Sequence, residues 1–291
     1  MRKFWRCLPM VLLLTCYAWA WRSERDDTGR SVVLPEHVRR VVSLSPSLTN
    51  TVYALGAAGD LVGITDYTAY PAEAVRQKPS VGAVVNPSLE RIVALHPDLV
   101  LALPDFNGAE TIQGLQRLGI PVFLFNTGNV ANIYHSVESV GRVMEREREA
   151  AALVAQMRAR EAQVRAQSAG KDKPSALLVL SIDPLITAGK NAFITEMIEA
   201  AGARSVTDDL KQDWLQMSIE AVLPRKPDYI LLMKGGPVNL KDMQQRAGWS
   251  SLEAVRRGRV IIVDDRIQIP APVAFDGLED LARLIHALPS H

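Results

Sequence analysis

Five histidines, His37, His96, His135, His286 and His291, are scattered along the 291-residue chain, and none has a neighbour at metal-ligand spacing. No His-Glu-x-x-His, Gly-x-Ser-x-Gly or phosphate-loop pattern occurs. Gly235-Gly236-Pro237 follows an apolar run but lacks the Lys-Ser/Thr of a phosphate loop, so it reads as a turn. Asp264-Asp265 could bind a cation, yet two acidic residues after an apolar run fit a strand-end turn better. These residues support no catalytic set, no metal and no resident cofactor. The chain is expected to bind rather than to react; a secreted enzyme assembled from distant residues is the rival from another class.

Composition narrows the classes further. Apolar residues make up 48% and charged residues 22%, ordinary values for a globular protein. Disorder, a collagen, a coiled-coil rod and a polytopic membrane protein are excluded. A net charge of +1 gives no chain-wide basic excess for nucleic acid. Cys7 and Cys16 both fall near the start, which argues against a disulfide scaffold. Residues 1–20 read as a secretory signal. Arg2, Lys3 and Arg6 precede an apolar run from Leu8 to Tyr17, and Ala18-Trp19-Ala20 supplies small-x-small cleavage. Leu13-Leu14-Thr15-Cys16 also resembles a lipobox, although Thr15 departs from its usual small residue, so lipidation of Cys16 is a competing route. Either way the protein is expected outside the cytoplasm, in the periplasm or on the extracytoplasmic face.

The elements that follow alternate. Strands are expected at 41–44, 61–64, 99–103 and 122–125, with helices between them. Ser47 is read as the cap of one and Ser88 of another, and Gly56 and Gly119 as stops. The order returns with strands at 176–180, 229–233 and 260–263 and helices at 193–201, 218–223 and 278–288, while 22–30 reads as a polar stretch. Apolar strands separated by helices imply parallel sheets with covered faces. The segment Ser88–Leu101 aligns without gaps on Ser218–Leu231: Ser, Glu, Pro, Asp and the last Leu are identical, and four further pairs exchange one aliphatic for another. Capping and turn chemistry explain single positions, not five at one offset. The fold class is therefore α/β, with two Rossmann-like lobes at 38–128 and 174–291. Between them, 129–170 holds no proline before its end and apolar residues near helical spacing, including Ile133, Val137, Val140, Met144, Ala151, Val154 and Met157. It reads as one long helix or two consecutive ones, with 145–168 unbroken, a stiff bridge.

Several motifs now carry a resemblance. Val41-Val42-Ser43-Leu44-Ser45-Pro46, Thr65-Asp66-Tyr67 with Tyr70-Pro71, Asn86-Pro87-Ser88-Leu89-Glu90, Pro97-Asp98-Leu99-Val100, Thr187-Ala188-Gly189-Lys190 and Trp214 to Glu220 are similar to those of the cobalamin/iron-chelate class of periplasmic substrate-binding proteins. The similarity covers about 38–288, and the cobalamin-binding members look most alike. It implies an ABC-importer receptor, monomeric, that holds a large chelate between two lobes on a helical backbone and delivers it to a permease with its ATPase subunits. Cobalamin would then be cargo; haem and iron–siderophores are the alternatives.

The resemblance also implies a site. Tyr67 and Trp214 fall on ligand-contacting aromatics of the cobalamin-binding members. A tryptophan expected before the first Ser-Leu-Glu is Val84 here, Asp265-Arg266-Ile267-Gln268-Ile269 lacks the expected aromatics, and the family disulfide is missing. Phe106, on the loop 104–108, is the candidate to replace the lost ring surface, and Arg266 a candidate contact for a carboxylate or amide of the ligand. Trp249 reads as structural. Glu90 and Glu220 match the acidic pair, one per lobe, that meets permease arginines in the family. Each would lie in the first turn of its helix, two residues after its serine rather than the three of a capping box.

Overall fold

A computed structural model describes residues 21–287; the expected signal at 1–20, Cys16 and the last four residues lie outside the described residues. The described residues begin with a hairpin, β1 (Trp21–Arg25) and β2 (Ser31–Pro35), paired antiparallel where a polar stretch was expected. Alternation accounts for it: Val32 and Leu34 point inward while Val33 faces out. Asp26 ties the turn by accepting from Thr28 and from the backbone and guanidinium of Arg30.

The first lobe follows: β3 (Val41–Ser43), α1 (Pro46–Ala54), β4 (Leu61–Gly63), α2 (Ala72–Gln77), α3 (Leu89–Ala94), β5 (Leu99–Ala102), α4 (Pro104–Asn107), α5 (Ala109–Arg117) and β6 (Val122–Leu124). Ser45, not Ser47, caps α1. Pro46 fits the first helical position, where no N–H is needed, and the Ser45 hydroxyl accepts from Ser47 N. The backbone comprises α6 (Val130–Val143) and α7 (Glu147–Ser168), two consecutive helices, the second unbroken over 22 residues, or about 33 Å. Ala150 rather than Ala151 joins Val154, Met157 and Val164 on its buried stripe.

The second lobe comprises β7 (Ser175–Val179), β8 (Ser181–Ile182), β9 (Leu185–Ala188), α8 (Phe193–Ala200), β10 (Arg204–Ser205), β11 (Trp214–Met217), α9 (Ile219–Val222), β12 (Tyr229–Met233), α10 (Leu240–Gln245), α11 (Glu253–Arg256), β13 (Val260–Val263) and α12 (Ala274–His286). The last helix begins four residues before the expected start at Leu278.

The sheets are parallel and run β4-β3-β5-β6 and β10-β7-β12-β13. Each is a 2-1-3-4 order of its own main strands, so the sequence repeat corresponds to a repeat in topology. A small antiparallel sheet, β11-β9-β8, is added to the second lobe. Side chains alternate strictly between cores. Leu99, Leu101, Phe123, Ala176, Leu178, Tyr229 and Leu231 belong to one core that also takes in α6, α7, α8 and α12. Val100, Ala102 and Val122 face a second, and Leu177, Ile230 and Leu232 a third. The two sheets therefore share one continuous apolar core through the helical backbone.

Candidate ligand cleft

Open α/β sheets place ligands beyond the carboxyl ends of their strands. Here both sheets end against one cavity of about 700 Å³, including its open mouth. From the first lobe come Leu103, Asp105 and Phe106 after β5, then Phe125, Thr127 and Gly128 after β6. From the second come Ala192 and Phe193 at the start of α8, Asp213 and Trp214 at β11, and Gln268 and Pro270 after β13. A backbone bond from Phe193 N to Gly128 O, 3.0 Å, joins α8 to the entry of α6.

Phe106 and Trp214 thus come to one cavity from opposite lobes, 47% and 41% exposed, with ring surface available to a ligand. Phe106 lies on α4, a single helical turn where a loop was expected. Trp214 begins a strand rather than ending a polar loop: it pairs with Ala188 across the β11–β9 ladder. The approach is tight, because a Cβ at Gly189 would overlap Gln212 O and lie 2.8 Å from Leu210 O. Gly189 N donates to Asp213 O at 2.9 Å, which fixes the backbone just before the indole.

Tyr67 is not among the lining residues. It is 72% exposed on the loop after β4. Three residues on, the Tyr70 hydroxyl donates to Asp265 Oδ1 in the other lobe at 2.8 Å, which pushes the phenol pKa up. Arg266 does not join the aromatics either. Its guanidinium binds Asp264 at 2.7 and 3.1 Å, Asp280 at 2.7 Å and Asp276 at 3.4 Å. The hydrogen bonds from Arg266 hold the Asp264 carboxyl below its usual range. All three guanidinium nitrogens are committed to carboxylates, so Arg266 braces the turn instead of presenting a cation to the cleft.

Phe125, Thr127, Phe193, Asp213 and Gln268 were not singled out from sequence. The signal for Thr127 was its position just past a strand, and for Phe125 its place at the end of that expected strand; for Phe193, the start of a helix facing the other lobe, there was none. Asp264-Asp265 is the strand-end turn expected, with Asp264 capping a short helical turn over Asp265–Gln268. Gly235-Gly236 likewise turns the chain after β12, with Gly236 N bound to Met233 O. Among the described residues no group of three or more His, Cys, Asp or Glu could hold a metal ion.

Away from the cleft, Glu90 and Glu220 are both exposed, at the second position of α3 and α9. Ser88 Oγ accepts from Arg91 N at 3.2 Å and Ser218 Oγ from Ala221 N at 3.3 Å. The serines therefore cap the third position of their helices. Each helix feeds the third strand of its sheet, so the two carboxylates occupy matching places. The Glu220 carboxyl is held low by its own backbone N–H and by Ser218.

Residues 41–267 match the family model described as periplasmic binding protein. An uncharacterised ABC transporter substrate-binding lipoprotein of Bacillus subtilis is 33% identical over 269 residues, covering 90% of this chain and 84% of that protein. A vitamin B12-binding protein of Vibrio parahaemolyticus is 30% identical over 240 residues, covering 81% and 86%. A solved structure from an Fe3+-hydroxamate transport system of Saccharomonospora viridis superposes with a TM-score of 0.74 at 27% identity, covering 91% of this chain and 99% of that one.

Proposed function

This chain belongs to the periplasmic binding protein family, and from that premise we propose that it is an importer receptor whose cargo is cobalamin or a related corrinoid. It is an extracytoplasmic substrate-binding protein of an ABC transporter, in line with its family and with the substrate-binding lipoprotein of Bacillus subtilis. The observation that carries the cargo reading is the pair of ring faces, Phe106 and Trp214, brought from two lobes to one cavity. A large, mostly flat ligand is held best by aromatic surface with a few polar anchors. Asp105, Thr127, Asp213 and Gln268 supply hydrogen-bonding groups suited to the amide side chains of a corrin.

The lining favours a corrinoid over the alternatives. It contains no Lys, Arg or His for an anionic iron–siderophore, and no His, Cys, Met or Tyr to ligate a haem iron. The iron-hydroxamate relative keeps a less charged ferric chelate as the second reading. On delivery, Glu90 and Glu220 face the two permease subunits, and the ATPase lies beyond them. Titration calorimetry of the purified chain against cyanocobalamin, cobinamide, haemin and a ferric hydroxamate tests the cargo. Both corrinoids should bind and the iron compounds should not. Binding of the hydroxamate alone would leave the receptor role standing and remove the corrinoid.

A further inference from the structure

The wall of the cleft that carries Gln268 and Pro270 is braced from behind. Arg266 is gripped by Asp264, Asp276 and Asp280, and Asp276 also binds Arg160 of α7 at 2.5 Å. Charge pairing thus runs from the helical backbone into the turn after β13. Packing follows the same line. A Cβ at Gly277 of α12 would lie 2.6 Å from Ile267 N, so only glycine lets the helix approach the turn this closely.

The front of the same turn is tied to the other lobe. Tyr70 reaches across 195 residues of sequence to Asp265, and both are partly buried. No second contact of this kind holds the turn to the loop of Tyr67 in the described residues; the other lobe-crossing bond near it, Val273 N to Asn50 Oδ1 at 3.2 Å, lies at the start of α12. We propose that the Tyr70–Asp265 hydrogen bond is an interlobe latch that positions the 264–270 wall, so that Tyr70 and Asp265 set how long a bound ligand stays rather than how it enters. The wall is preassembled on its own lobe by Arg266, and the latch holds it at one distance from the other. Tyr70 is a positioning residue in this scheme: its hydroxyl is spent on Asp265.

Hydrogen exchange of the ligand-free protein reads the latch without reference to cargo. The reporting amides are Arg266, Ile267 and Ile269, bonded to Asp264 Oδ1, Asp264 O and Arg266 O. Tyr70→Phe removes only the hydroxyl. It should speed exchange at these amides by about two- to tenfold, the scale of one partly buried hydrogen bond. Asp265→Ala should match it. Asp265→Asn keeps an accepting oxygen and should exchange like the wild type. Amides of β7 and β12 should not change. Wild-type exchange in Tyr70→Phe, or a rise that spreads through β7 and β12, would overturn the latch. The second arm rests on the corrinoid reading: cyanocobalamin should leave Tyr70→Phe faster by a similar factor, with association unchanged. Unchanged dissociation from a variant whose wall exchanges faster would overturn the retention role. If the wild type binds no corrinoid while the exchange pattern holds, the cargo reading fails and the latch stands.

Discussion

In the proposed reading Trp214 and Phe106 turn ring surface toward the cargo, and their exposure sets them apart from packed core aromatics such as Phe123 and Phe275. Each leaves a large ring about half exposed beside a cavity, where a core residue would be covered. Trp214→Ala should weaken cargo binding by about 1–3 kcal/mol, the scale for losing an aromatic anchor, with little change in melting temperature; calorimetry with unaltered affinity would exclude the indole from the site. Arg266 makes the opposite prediction. Its partners are carboxylates of the fold, so Arg266→Met should lower stability. The Asp264 carboxyl, depressed by Arg266, contributes stability that is present above its ordinary value of 3.8 and is lost as pH falls through the lower folded value. The stability gap between wild type and Arg266→Met should therefore be steady near neutrality and narrow below about pH 4. Urea titrations across that range measure it. From sequence, an arginine just past a strand at a cleft looks like a ligand contact, because its acidic partners Asp276 and Asp280 sit on a helix whose approach only the folded chain shows.

At the scale of elements, the bend between α6 and α7 depends on Gly141. A Cβ there would overlap that of Ala150 and lie 3.0 Å from Arg146 O, so the start of α7 packs on a bare backbone. Gly141→Ala should cost about 1–3 kcal/mol by overpacking, read as a lower denaturant midpoint. The same glycine was the one helix-weakening residue visible between positions 129 and 168. The parallel strands were legible because strands buried on both faces read as plain apolar runs, as in Leu99–Ala102 and Tyr229–Met233. The repeat was legible because α3–β5 and α9–β12 keep the same capping serine and the same turn. Two of the strands that were not legible share a cause. Trp21–Arg25 and Trp214–Met217 are half-exposed strands of mixed polarity, and what makes them strands is pairing with Ser31–Pro35 and with Leu185–Ala188. That pairing, in β11 above all, is what gives Trp214 its direction, so the sequence could nominate the residue but not its setting. Tyr67 illustrates the converse, a motif residue whose loop is recognisable while only the folded chain shows that it stands exposed and away from the cavity lining.

At the scale of the molecule, one apolar core runs from the hairpin through α6 and α7 to α12, and swinging the lobes apart would expose it. Ligand binding should therefore change the radius of gyration little; a large compaction in solution scattering would show a hinge that this core does not permit. A receptor that changes shape little would need its docking contacts ready-made, and the pseudo-symmetric lobes offer one matched pair of exposed carboxylates. Glu90 and Glu220 lie 130 residues apart in sequence, each exposed at the second position of a serine-capped helix that leads into the third strand of its sheet. Neither carboxylate completes a capping box, since the third position of each helix, where that box needs a Glu or Gln, is Arg91 in one and Ala221 in the other. Both favour the positive end of a helix, a contribution too small and too screened to explain two matched positions. A permease of two like subunits needs two like contacts, which the repeated motif can offer. Glu90→Arg with Glu220→Arg should fold and bind cargo as the wild type does, because neither side chain touches the cleft. In reconstituted vesicles the double variant should fail to stimulate ATP hydrolysis or support uptake, and each single variant should be impaired less. Transport at the wild-type rate would remove the docking role, whereas loss of cargo binding would return the glutamates to the fold or the cleft.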